Sequence, residues 1–139
     1  MPTLTRWFVK ASLVYFIAAL LSGVILALRA VLDLPGFLNG LGPVYFHLFM
    51  VGWVSQLIFG VVYWMFPKYT SENPRRSESL AWATWGLINL GLVLRTFGEP
   101  LMAAQPQAGY GWILAVSAVL QWLAGLAFVA NTWGRVKER

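Results

Sequence analysis

The chain has 139 residues, 59% of them hydrophobic and 11% charged, with a mean hydropathy of +0.67. One small soluble core cannot hide that much apolar surface, so the composition places the protein in a lipid bilayer and leaves no room for a soluble domain. A net charge of +5 with no cysteine excludes disulfides, thiolate metal sites and thioether-linked haem, and the basic residues are explained by anchoring to an anionic leaflet without nucleic acid.

A helix needs about 19 residues to cross roughly 30 Å of hydrocarbon. On that scale four spans are expected, over residues 7–28, 43–66, 79–97 and 110–133. Arg6 and Lys10 at the head of the first span resemble the start of a secretory signal, but the run is too long and no small-residue cleavage site follows, so a retained helix is expected. Ser12, Tyr15, Ser22 and Gly23 are its packing positions. The connection over 33–42 is turn-rich yet apolar and is expected to cover helix ends at the outer interface.

Pro43 suits the first turn of the second helix, where a missing backbone donor costs nothing, and His47 follows one turn further in. Asn73 or Ser77 caps the third helix. Along the fourth, Ser117, Gln121 and Gly125 recur every four residues as a packing stripe. Of eight tryptophans, Trp7, Trp64, Trp82, Trp85 and Trp133 mark the inner boundary and Trp112 the outer. Trp53 and Trp122 lie deeper, against another helix or a planar cofactor.

Basic residues resist translocation and mark the cytoplasmic side. Arg6, Lys10, Lys68, Arg75, Arg76, Arg135, Lys137 and Arg139 fall on one side of the expected spans; Arg29 and Arg95 fall on the other. The expected fold is therefore a single all-α domain over 1–139, a four-helix up-down membrane bundle with both termini cytoplasmic.

His47 is the one histidine of the chain, and an ionisable group at membrane depth marks function or a partner. At 100° per residue it shares a face with Val51, Val54, Ile58, Val61, Val62 and Met65, all apolar. Gly52, Gln56, Phe59 and Tyr63 collect on the opposite face, as a helix contact with a polar bond across it. An imidazole above an aliphatic wall suits an axial haem ligand, and equally suits a border with another helix. Arg29 and Arg95, on the His47 side, are candidates to pair with haem propionates; the ordinary alternatives are snorkelling or pairing with Asp33 and Glu99. Tyr45, Tyr63, Tyr69 and Asn89 have interfacial or interhelical roles open to them and are assigned no chemistry.

The run PVYFHLFMVGW over 43–53, continued by FGVVYWMFP over 59–67, resembles the second transmembrane helix of haem-copper oxidase subunit I, the nitric oxide reductases and the NnrS-type membrane haem proteins. In them a histidine near the outer end is followed by a Gly-aromatic pair, a Phe-Gly step and a closing aromatic-x-x-Pro. Gly91 to Arg95 is similar in flavour to the helix that follows. The resemblance implies that His47 ligates the iron of a noncovalent haem b; the helix face and the two outer arginines add Val51, Val54, Arg29 and Arg95 as the expected residues around it. It also implies cytochrome b-like electron transfer in a bacterial inner membrane, beside a respiratory-chain partner. Those families carry further histidines for a second haem and a copper ion; this chain has none, so it is not by itself a complete oxidase or reductase.

One histidine leaves a second axial position to fill. A homodimer would bring two copies of His47 to one iron, Met102 on the outer connection could supply a thioether, or the position stays open for O2, CO or NO. Met50 projects from the His47 side of the ring and cannot serve. The reading from a different class is a haem-free structural or assembly subunit in which His47 is hydrogen-bonded between helices.

Overall fold

In a bilayer the backbone must satisfy its own N–H and C=O groups, so apolar runs of this length fold as helices. A computed structural model describes residues 1–136; Lys137 and Arg139, counted in the basic flank, lie outside them. The elements are α1 (Thr3–Leu28), α2 (Leu41–His47), a π-helical stretch (Leu48–Ser55), α3 (Gln56–Met65), α4 (Glu78–Ala104) and α5 (Gly111–Thr132). Short 3-10 turns cover Gly36–Gly40, Pro106–Ala108 and Trp133–Arg135, and no strand occurs among the described residues. Four helices are long and apolar enough to cross a membrane, Thr3–Leu28, Gly36–Met65, Glu78–Ala104 and Gly111–Arg135, as expected of a multi-pass membrane protein.

Helix boundaries follow local chemistry. Ser77 caps α4, its Oγ accepting from the Leu80 N–H at 3.2 Å. The helix does not end near residue 97 as expected but runs through Pro100 to Ala104. A proline inside a helix withdraws one donor, here from the Thr96 carbonyl, and need not stop it. Gly109, at φ +73°, is the left-handed turn from which α5 departs. Hydroxyls within the spans bond back to their own helix: Ser12 Oγ donates to the Val9 carbonyl at 2.8 Å, Ser22 Oγ to Ala18 at 2.9 Å and Thr132 Oγ1 to Phe128 at 2.7 Å.

Between the first and second spans, contacts ascend along one helix as they descend along the other. Phe8 meets Gly60 and Tyr63, Tyr15 meets Gly52, and Gly23 meets Tyr45. The third and fourth spans do the same, with Ser77 on Asn131, Gly91 on Ser117 and Gln121, and Gly98 on Ile113 and Leu114. The core joins both pairs: Leu4, Phe8, Tyr63, Ala81, Ile88, Leu92 and Ala124 form one buried cluster, and Phe59 stacks on Phe128 at 3.9 Å between centroids. Gly52 permits close approach, since a Cβ there would fall 2.7 Å from Tyr15 Cβ. The stripe on α5 engages at Ser117 and Gln121 but not at Gly125, where Ala124 is buried instead.

Polar bonds cross the interior where no water competes. Gln56, fully buried, exchanges amide bonds with Asn89: Gln56 Nε2 donates to Asn89 Oδ1 at 3.3 Å and Asn89 Nδ2 to Gln56 Oε1 at 3.2 Å. The Tyr63 hydroxyl donates to Thr84 Oγ1 at 3.2 Å, and Ser117 Oγ to the Gly91 carbonyl at 2.6 Å. The Gln56 and Tyr63 bonds lie on the contact face expected from Gly52, Gln56, Phe59 and Tyr63.

Candidate functional site

His47 is the last residue of α2, at the junction with the π-helical stretch. Its Nδ1 lies 2.9 Å from the Pro43 carbonyl oxygen; a carbonyl only accepts, so Nδ1 carries the proton and Nε2 keeps its lone pair. Arg95 Nη1 donates to Nε2 at 3.0 Å, and Arg95 Nε donates to Glu99 Oε1 at 3.3 Å. One chain of donors and acceptors thus runs from Pro43 through His47 and Arg95 to Glu99, joining the second and third spans. The ion pair is shielded, its side chains 18% and 15% exposed. Gly40, just before α2, lies against the Glu99–Pro100 backbone, where a Cβ would fall 2.5 Å from the Glu99 oxygen. That contact holds the carboxylate end of the chain in place.

The π-helical stretch begins directly after His47. Ser55 Oγ donates to the Met50 carbonyl at 2.8 Å, five residues back, and so takes part in the wider turn. A π stretch turns less than 100° per residue and is common beside functional positions. It also dissolves the single aliphatic face expected of this helix. Val51 packs against the main core cluster, Val54 and Val62 are half-buried, and Ile58, Val61 and Met65 are exposed. Phe46, 59% exposed, sets its ring edge-on to the imidazole at 5.7 Å, and Met50 is exposed beside it. The flank of the site is therefore apolar and outward-facing.

Of the other expected residues, Arg29 is half-buried as the C-cap of α1, and its side chain makes no hydrogen bond or ion pair among the described residues. Arg95 pairs with Glu99, as one alternative held; Arg29 does not pair with Asp33. Met102 lies exposed within α4 itself rather than on a connection. Trp53 packs on Phe16 at 4.2 Å and Phe49 at 4.9 Å, the helix-contact alternative of its two, while Trp122 faces outward.

No family model matches the chain, and no curated protein or solved structure matches it.

The site must then be weighed on its own atoms. For haem the donor set fits one axial position: a neutral imidazole with Nδ1–H on a backbone carbonyl presents the Nε2 lone pair that iron takes. Nε2 is shared with Arg95, which would have to turn from imidazole to a carboxylate, and Glu99 shows that its guanidinium already serves one. No group of three His, Cys, Asp or Glu side chains converges among the described residues.

The end opposite His47 carries a feature that residue counting missed. Arg135, 2% exposed, reaches back to the second span: Nη2 donates to the carbonyls of Tyr63 at 3.2 Å and Phe66 at 2.8 Å, and Nε to that of Pro67 at 3.1 Å. It thus satisfies the open carbonyls at the C-terminus of α3, where a cation also meets the negative end of the helix dipole. Arg76, at φ +65°, donates to the Ala130 carbonyl and lies over the Tyr69 ring. Nothing in the sequence separates Arg135 from its basic neighbours, because its role depends on carbonyls 68 to 72 residues away.

Proposed function

We propose that this protein is a multi-pass membrane haem b protein in which His47 Nε2 is an axial ligand to iron, working as a cytochrome b-like electron carrier. The observation that carries the reading is the Nδ1–H bond to the Pro43 carbonyl, which fixes the tautomer with its lone pair on Nε2, the atom that would ligate iron once Arg95 turns from it. The likeness of the second span to haem-copper oxidase helices adds to it. Bound haem b would supply reversible one-electron exchange. The chain's own residues would position the imidazole through the Pro43 carbonyl and offer Arg95 and Arg29 to propionates at the same end. In this reading the helices form an up-down bundle in a bacterial inner membrane. Both termini are cytoplasmic, following the basic flanks, and His47 lies near the outer face. The outward-facing Phe46 and Met50 flank would suit a second copy that supplies its own His47, and Val54 would help to hold the group. A respiratory-chain protein is the electron partner.

One observation favours the second reading, a haem-free structural or assembly subunit: Nε2 already accepts from Arg95, so the histidine has a complete set of bonds as an interhelical clamp. The protein purified from haem-replete cells decides between them. Haem b binding predicts a Soret band, a b-type pyridine haemochrome and loss of both in His47→Ala; colourless protein, or a Soret band unchanged in His47→Ala, overturns it. Carbon monoxide added to the reduced protein shifts the spectrum only if the sixth position is open.

A further inference from the structure

The end of the bundle opposite His47 contains a cavity of about 460 Å³ where three parts of the chain meet: the N-terminus of α1, the end of α3 with the connection after it, and the turn after α5. Lys68, Arg75 and Arg135 stand in its wall with Tyr63, Trp64 and Phe66, and no carboxylate does among the described residues. Arg75 is half-exposed and shares its charge with Glu78 at 3.3 Å; Lys68 is exposed and makes no ion pair among the described residues. Arg135 is the second and independent observation. Its Nε and Nη2 are used on carbonyls, but Nη1, buried, has no partner among the described residues. A buried guanidinium charge with no carboxylate beside it among the described residues is costly, and an anion in the cavity it lines compensates it.

We propose that this cavity is a binding site for a phosphate group, held by Lys68 and Arg75 over the buried charge of Arg135. Oxygen acceptors at tetrahedral spacing can serve several cationic donors at once, which a single carboxylate does less well. The wall also says what else the ligand carries. Trp64 is 52% exposed and Phe66 half-buried beside the cations, the pairing of aromatic and basic groups found at headgroup depth. The ligand chemistry is thus a phosphate ester or free phosphate, and an anionic phospholipid satisfies both halves of the wall. A second basic surface, at Arg6 and Lys10, lacks a buried cation with an open donor. The site requires no haem and stands or falls apart from the reading of His47.

The test uses the full chain, delipidated in neutral detergent, with three probes: phosphatidylglycerol, phosphatidylcholine and inorganic phosphate. Native mass spectrometry counts what stays bound. One phosphatidylglycerol per chain is expected, retained over phosphatidylcholine. Lys68→Ala with Arg75→Ala should weaken it at least tenfold, each cation near a headgroup being worth about fivefold, while Lys10→Ala changes it less than twofold. Inorganic phosphate binding with the same dependence on Lys68 and Arg75, and no preference for the lipid, supports the site with a soluble anion as its source. Binding without fixed stoichiometry, or equal weakening by Lys10→Ala and Lys68→Ala, means diffuse surface attraction and overturns the proposal. Arg135 is left unchanged throughout because it also holds the helix end.

Discussion

The Gln56–Asn89 pair makes a prediction whose sign and asymmetry follow from the bonding. Among the described residues Gln56 has no side-chain hydrogen-bond partner other than Asn89, whereas Asn89 Nδ2 also donates to the Trp85 carbonyl at 2.7 Å. Asn89→Leu therefore strands a fully buried carboxamide, while Gln56→Met leaves Asn89 still bonded to its own helix. Interhelical bonds in membranes average about 0.6 kcal/mol and reach roughly 1.7, so the two amide bonds together are worth about 1–3 kcal/mol. Stranding Gln56 adds an unmet desolvation cost of about 1–3 kcal/mol. We expect Asn89→Leu to cost about 2–6 kcal/mol, Gln56→Met about half that, and the double variant less than the sum by at least 1 kcal/mol. The assay is reversible unfolding by sodium dodecyl sulfate in mixed micelles, read by tryptophan fluorescence. Additive single effects, or Gln56→Met costing more than Asn89→Leu, would refute the reasoning.

Gly52→Ala should destabilise by about 1–3 kcal/mol, because its Cβ would meet Tyr15 at 2.7 Å, while Gly125→Ala, with open space around it, should lose nothing in the same assay. Arg135→Met removes a cationic donor from three carbonyls and should cost about 3 kcal/mol or more. Faster amide exchange confined to the end of α3 would mark the site of loss, and an unchanged midpoint would contradict the clamp. If haem is bound, Arg95→Ala should lower its retention about tenfold, the value of one charge-assisted bond, and Arg29→Ala should lower it too. Retention unaltered in both variants rejects propionate pairing.

Much of this fold was legible because lipid simplifies the code. Apolar length alone located all four spans, the cap of α4 could be narrowed to Asn73 or Ser77, and the contact face of Gly52, Gln56, Phe59 and Tyr63 could be read from spacing. The aliphatic face beneath His47 could not, since it assumed a uniform 100° turn and the π-helical stretch alters the winding just past the histidine. The third helix overran its expected end because a proline costs one bond, not a whole helix. Arg95 was visible as a charge at the right depth. Its bond to the imidazole was not, because it joins residues 48 apart. Arg135 lay hidden for the same reason.

The Arg135 clamp has a consequence for biosynthesis. The carbonyls of Tyr63, Phe66 and Pro67 leave the ribosome long before the arginine that will occupy them. Until translation reaches that point, the emerging second span must keep those oxygens hydrated at the membrane surface. A nascent chain stopped just before Arg135 could insert every helix and still leave one end of its bundle unfastened, which would give cellular quality control something to recognise.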